Sequence, residues 1–474
     1  MIFLNLLVVL IVPLVFGLVL LSLLIQKGAQ HFSPWEKLAL AFPLGLGFIA
    51  LIMFFLGILK MPLTLASIMI SIALISLLIG LYLLRTRSFC FTPNEFKFSV
   101  PKMNAVEIIL LALISLKVLF VIFSAIIKPV VDVDAFQQYS IVAKAIFFDG
   151  GFTLPYLNQF YGDKPLLPFL AQGWAFLGLG TPNDALMKVI FPTLFLCLLV
   201  IFYSILKRQF NRLHSMLFTW LLCSLPFLVY HATTAYADVT ITVYYAAATF
   251  YLYLFMKEQK SDLAAVGFAL LGFAVWAKKA GFILAGVNIL FLLIYLIAQK
   301  DSRLWRKAAI PFIIFLIIVL PWLALGRLGT FESVIRSFIG AKTSSVAAPA
   351  AVQPAPVESK LPAIISIFGR KLFLYGDWHL TWGLLVISLV FFYRQAFRPP
   401  LVYLLGIILL DFTSLFVQFG SGETFRWLLD GTLFDRLVMN EVPLVLFFCA
   451  AAILVPGTAL PPDSKQVKKR RQQH

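Results

Sequence analysis

A chain of 474 residues that is 61% hydrophobic, holds 48 Phe, carries only 12% charged residues and has a mean hydropathy of +0.97 cannot fold as a soluble globule, because nearly every long window is apolar. The composition is that of a polytopic membrane protein. In a soluble protein the net charge of +17 would suggest nucleic acid; in a membrane protein the placement of each Lys and Arg matters more than the sum, and no nucleic-acid partner is expected.

Crossing ~30 Å of hydrocarbon takes about 20 apolar residues per helix. By that rule about thirteen transmembrane helices are predicted, at residues 2–25, 38–59, 63–84, 105–127, 185–206, 214–230, 239–256, 263–277, 281–298, 308–326, 379–393, 401–419 and 437–456. The expected fold class is all-α integral membrane. The first segment has no basic start and no small-residue cleavage site, so it is expected to be retained as a helix. Helix 263–277 is short for a full crossing and ends on Lys278 and Lys279, which puts that pair at or just below a membrane surface.

If the connection 85–104 is cytoplasmic, alternate connections are too. They hold Arg85, Arg87, Lys97 and Lys102, then Lys207, Arg208 and Arg212, then Lys257 and Lys260, then Lys300, Arg303, Arg306 and Lys307. With Lys27 and Lys37, Arg394 and Arg398, and Lys465, Lys468, Lys469, Arg470 and Arg471 of the tail, the inward-facing segments hold 22 of the 38 Lys and Arg. The positive-inside rule then sets the C-terminus in the cytoplasm and the N-terminus outside. KKRR reads as an orientation and headgroup anchor. Cys90, Cys197, Cys223 and Cys449 fall in helices or on the cytoplasmic side, so no external disulfide is expected.

The expected organisation is three N-terminal helices over 1–104 with no assignable role, and a core over 105–326 with an external loop at 128–184. A flexible external loop at 327–378, C-terminal helices over 379–456 and a basic cytoplasmic tail at 457–474 follow. The external side thus carries loops 128–184, 327–378 and 420–436, where function is expected. The second contains AKTSSVAAPAAVQPAPVESK, a flexible stretch that reads as a linker or a flap.

Several chemistries are excluded or disfavoured. Gly-Lys never occurs, so there is no Walker A loop. The five His are scattered with no HExxH, and no GxSxG elbow is present. The stretch VVDVDAFQQYSIVAKAIFFDGG differs. After Asp134, the polar residues Gln137, Ser140 and Lys144 alternate with apolar Phe136, Ile141, Ala145, Ile146 and Phe148, which predicts an amphipathic helix in the outer interface. Asp134 stands at its start, either as a cap or as a reactive carboxylate. Downstream, YGDKPLLPF places Tyr161, Asp163 and Lys164 before an apolar turn, Pro165 to Pro168, expected at the membrane surface. HATTAYAD then sets Asp238 at the head of a helix, where it too reads as a cap or a site residue.

The order DVDAFQQYSIVAKAIFFDGGFTLP, YGDKPLLPFL, TTAYADVTITVYYAAATFYLY and LLGFAVWAKKAGFIL resembles the glycosyltransferase C superfamily, which includes protein O-mannosyltransferases and aminoarabinose transferases. The resemblance covers residues 105–300 by motif and the rest by architecture. It implies an enzyme of the cytoplasmic membrane that works on the external face. Such an enzyme transfers a sugar from a polyprenyl-phosphate donor to a hydroxyl of an envelope glycan, lipid or protein, with inversion.

Carried over by motif, the base is Asp134, with Asp132 as second choice. Where many relatives have Asp-Glu, this chain has Asp134 followed by Ala135, and the Asp-x-Asp form also leaves open a divalent cation on Asp132 and Asp134. No other cofactor is implied. The donor phosphate would meet Lys164, Lys278, Lys279, Arg436 and Arg426. Tyr139, Lys144, Tyr161, Asp163 and Asp238 are candidate substrate contacts. The alternatives are an oligosaccharide ligase or polymerase using a polyprenyl diphosphate, and a secondary transporter or lipid flippase. The latter would rely on ionisable groups inside helices, here Lys117, Asp411 and Glu441.

Overall fold

The computed structural model describes residues 2–25, 30–86, 89, 102–151, 164–324, 357–420 and 424–454. Apart from single turns at Asp184–Met187 and Tyr393–Ala396, the helices are α1 (Ile2–Ile25), α2 (Pro34–Ile58), α3 (Leu65–Thr86), α4 (Ala105–Ile127), α5 (Ile141–Asp149), α6 (Leu167–Leu179), α7 (Ile190–Lys207), α8 (Arg212–Ser224), α9 (Pro226–Thr233) and α10 (Ala237–Glu258). They continue as α11 (Ser261–Ala277), α12 (Ala280–Gln299), α13 (Ser302–Trp322), α14 (Val357–Phe373), α15 (Thr381–Phe391), α16 (Leu401–Gly420), α17 (Thr424–Leu429), α18 (Phe434–Val438) and α19 (Val442–Ile453). No strand occurs among the described residues.

Every predicted segment coincides with a helix, and the chain is a multi-pass membrane protein. Among the described residues nine helices are long and apolar enough to cross a membrane, or ten if α8 and α9, bent by 65° at Leu225–Pro226, form one span. Segments 263–277, 379–393 and 437–456 are shorter apolar helices, so length and composition do not reach the predicted thirteen crossings. The expected turn at Pro165–Pro168 is instead the start of α6, with Pro168 in its first turn. Proline is tolerated there because that turn's N–H groups have no helical partner. α6 is almost wholly buried rather than lying at the surface. In loop 327–378 the last part forms α14; residues 325–356 and the tail 455–474 lie outside the described residues.

Burial separates centre from rim. The hydrophobic window of α10 is 100% buried, whereas those of α3 and α4 are 17% and 22% buried. The latter two turn Leu77, Leu78, Leu116, Leu119 and Phe123 outward, as helices facing lipid should. α1 and α2 approach backbone to backbone: a Cβ on Gly17 would stand 1.8 Å from the Ala41 carbonyl, and one on Gly45 1.8 Å from that of Pro13. Only glycine admits that contact, as in small-residue helix interfaces of membranes.

The bundle has two chemically different ends, because α10 carries Asp238 in its first turn and finishes at Lys257 and Glu258, about 30 Å away at 1.5 Å per residue. At the Lys257 end, Glu36 closes a capping box with Ser33 and also receives Arg208 at 2.7 Å and the Tyr251 hydroxyl at 2.6 Å. Glu107 repeats this, boxed with Asn104 and bonded to Arg212 at 2.6 and 2.8 Å. The basic connections therefore gather at one end, and Asp238 stands at the other.

Candidate active site

After α4 the backbone is extended at Lys128, then winds into a π-helical turn, Ala135–Ser140, that runs into α5. The wider turn, a geometry common at functional sites, sets Gln138 beside Asp134, with Gln138 Nε2 donating to Asp134 Oδ1 at 3.3 Å. Asp134 makes no capping bond, so its carboxylate is not spent on the helix end. The amphipathic helix is present with a different polar face than expected. Phe136, Ile141 and Phe148 are exposed, whereas Tyr139 and Ser140 are buried. Ser140 donates to Gln172 Oε1 at 2.8 Å, and Gln172 Nε2 donates to the Ala235 carbonyl at 3.1 Å. That relay fastens the first-loop helix to α6 and to the loop preceding α10.

Three remote segments meet at Asp238. This residue is fully buried in the first turn of α10, whose cap residue is Tyr236, so it is not a cap either. Its Oδ1 accepts from Lys278 Nζ at 2.5 Å, and its Oδ2 accepts from Arg436 Nη2 and Nε at 2.9 and 3.1 Å. Arg436 Nη1 reaches on to Asp134 Oδ2 at 2.6 Å. The guanidinium lies 4.8 Å from the Tyr236 ring centroid, and His231 Nδ1 stands 3.8 Å from Asp238 Oδ2. One guanidinium thus bridges two carboxylates, a use that its planar fork suits.

Local sequence explains how these groups are presented. Pro226 and the extended Leu225 bend α8 from α9, which brings His231 and Tyr236 back over the head of α10. α11 stops short, Lys278 is extended, and Gly281 lets α12 start directly against α11. A Cβ on Gly281 would stand 2.1 Å from the Ala274 carbonyl oxygen. Arg436 is carried on the short α18, whose Asp435 receives Lys371 of α14.

Charge follows the geometry. Burial opposes the Arg436 charge, but Asp238 and Asp134 outweigh it and its pKa is raised. Burial pulls the Lys278 ammonium below the ordinary lysine value, with Asp238 opposing. Burial, then the Asp238 charge, pushes the Tyr139 phenol up, so it stays protonated. Its ring packs 5.2 Å from Phe169.

The structure therefore gathers Asp134, Asp238, Lys278 and Arg436. Lys164 joins through Gln138, to whose Oε1 it donates. Asp132 accepts from the Tyr230 hydroxyl at 2.7 Å. Other expected residues are placed differently. Lys144 pairs with Asp184 at 2.8 Å, Lys279 occupies the N-cap position of α12 without a side-chain capping bond while Lys278 bonds to Asp238, and Arg426 is exposed on α17. Tyr161 and Asp163 fall outside the described residues. Gln138, Gln172, Tyr230, His231 and Tyr236 were not singled out from sequence; the polar loop HATTAYAD was the one signal for the last two.

Asp132 and Asp134 do not act as a pair, since one is held by Tyr230 and the other by Arg436. A guanidinium against Asp134 repels a dication, so this donor set does not fit the metal that the Asp-x-Asp form left open. Among the described residues no group of three or more His, Cys, Asp or Glu could hold one.

Residues 163–325 match the family model described as dolichyl-phosphate-mannose-protein mannosyltransferase; Lys164, Asp238 and Lys278 lie inside it, Asp132, Asp134 and Arg436 outside. The fold is similar to that of ArnT from Cupriavidus metallidurans in the apo state, at 16% identity and a TM-score of 0.50, over 77% of this chain and 62% of that one. The chain resembles the glycosyltransferase C superfamily. The crystal structure of the same ArnT bound to undecaprenyl phosphate aligns at 15% identity with a TM-score of 0.49, over 78% of this chain and 63% of that one. The chain thus spans less than two thirds of the length of those ArnT chains. A comparison with curated protein sequences gives no match.

Proposed function

We propose that the chain is a membrane glycosyltransferase that moves a sugar from a polyprenyl-phosphate donor to an acceptor hydroxyl at the outer face of the cytoplasmic membrane, with inversion. The observation that carries this is the single guanidinium of Arg436 joining Asp134 to Asp238 and, through it, to Lys278. Base and phosphate-binding cations thereby share one site, as displacement at an anomeric carbon needs.

In this reading the donor phosphate binds Lys278 and Arg436, with Lys164 at the rim. The phosphate competes with Asp134 for Arg436, and the freed Oδ2 turns to the acceptor. The acceptor oxygen forms a bond to the anomeric carbon while its proton passes to Asp134. The bond from that carbon to the phosphate oxygen breaks, and its electron pair leaves with the polyprenyl phosphate, whose added charge the cations stabilise. Asp238 touches neither reacting atom. It holds the two cations in register and balances their charge in the empty site.

The test uses purified protein in vesicles, supplied with a radiolabelled sugar on undecaprenyl phosphate and an envelope fraction as acceptor. Label passing to the acceptor, with the anomer inverted, is expected. Use of only diphosphate-linked oligosaccharides would point to a ligase. Movement of lipid-linked sugar across the vesicle with no transfer would point to a transporter, for which the buried Asp411, bonded to Tyr245, and Glu441 are the groups available.

A further inference from the structure

At the basic end of the bundle, about 30 Å along α10 from Asp238, a cavity of about 1190 Å³ opens between the N-terminal helices α1, α2 and α3 and the pair α11 and α13. It is larger than the roughly 300–1,000 Å³ typical of small-molecule pockets. Its walls are apolar, with Leu20 and Leu24 from α1, Ile52 from α2 and Ile314 and Ile317 from α13. On α13 the lining runs from Arg306 to Ile317, about 16 Å at 1.5 Å per residue. That is close to the depth of one leaflet, half of the ~30 Å hydrocarbon core.

Polar groups are confined to the mouth, where Lys260, Asp262, Arg306 and Lys307 stand with His31 across from them. Lys260 is matched by Glu258 at 2.8 Å. Arg306 and Lys307 are exposed, and Lys307 donates to the Gln259 carbonyl at 3.0 Å. Against the single charge of Asp262 they leave the mouth positive. Asp262 Oδ2 is buried with no hydrogen-bond partner among the described residues, so the mouth also contains an acceptor awaiting a donor.

We propose that this cleft is a binding site for an anionic glycerophospholipid with a hydroxylated headgroup. Its phosphate sits on Arg306 and Lys307, a headgroup hydroxyl donates to Asp262 Oδ2, and an acyl chain lies between α1 and α13. This gives the three N-terminal helices a role that the sequence did not reveal: they form one wall of a lipid site remote from Asp238.

Native mass spectrometry of the full chain in detergent, titrated with phosphatidylglycerol, phosphatidylethanolamine or phosphatidylcholine of the same acyl chains, tests it. Phosphatidylglycerol is expected to be retained about tenfold or more over the other two, from two cations near the headgroup. The double variant Arg306→Ala/Lys307→Ala should abolish that preference. Ile314→Trp, which fills the cleft and leaves the charges in place, should lower retention of all three lipids. Equal retention by the wild type, preference for phosphatidylethanolamine, or an unchanged preference in the double variant would overturn the proposal.

Discussion

Replacing Asp238 with Asn is the perturbation to which the cluster should be most sensitive. Both carboxylate oxygens are engaged, Oδ1 by Lys278 at 2.5 Å and Oδ2 by Arg436 at 2.9 and 3.1 Å, and the residue is 0% exposed. The amide has one acceptor oxygen and one NH2, so one cation keeps a partner and the other faces a donor. Removing one member of a buried ion pair costs about 3–5 kcal/mol, because the remaining charge stays buried and unmatched. Arg436 retains Asp134 at 2.6 Å, so the low end, about 3 kcal/mol, is expected. The assay is thermal unfolding of detergent-purified protein, with Asp238→Asn/Lys278→Met alongside. The single variant should unfold well below wild type, and the double variant should recover part of the loss, since the stranded ammonium is gone. A single variant within about 0.5 kcal/mol of wild type, as for an ordinary surface change, would refute the reading of Asp238 as the anchor of two cations.

Other expectations follow from the same geometry. Because burial lowers the Lys278 pKa and the charged form binds phosphate, donor binding should hold at lower pH and fall as pH rises through a value below that of ordinary lysine. In Lys278→Arg that alkaline limb should move upward, as equilibrium binding of undecaprenyl phosphate against pH would reveal. Gly281→Ala puts a Cβ 2.1 Å from a backbone oxygen that cannot swing away. It should cost about 1–3 kcal/mol and weaken phosphate binding by shifting Lys278, seen as a lower melting midpoint and a higher Kd. A chelator should leave transfer unchanged, since Arg436 occupies Asp134; loss of activity restored by a divalent cation would contradict that geometry.

The helical architecture was legible because apolar runs are local. α6 was missed because Pro165 and Pro168 read as a turn, although proline in the first turn of a helix is also a start signal. Asp134, Asp238, Lys278 and Arg436 fall into one site through the family resemblance, but the ion pairs that join them are not visible in the sequence. The bond from Arg436 to Asp134 spans 302 positions, and no periodicity carries across such a distance. Spacing also misled in one place: Ser140, assigned to the polar face of an interfacial helix, is buried against Gln172. The π-helical turn shifts the register there, and a 3.6-residue period does not anticipate it.

In the proposed mechanism Asp134 takes the acceptor's proton while Arg436 and Lys278 hold the phosphate, and Asp134→Asn separates those roles. With undecaprenyl-phosphate-linked sugar, single-turnover transfer should fall by ~10² to 10⁴-fold, the usual contribution of a positioned base. The Kd for undecaprenyl phosphate should stay equal or become lower, because Arg436 loses its competing carboxylate. Transfer at the wild-type rate, or a rate lost only in proportion to weakened phosphate binding, would contradict the account.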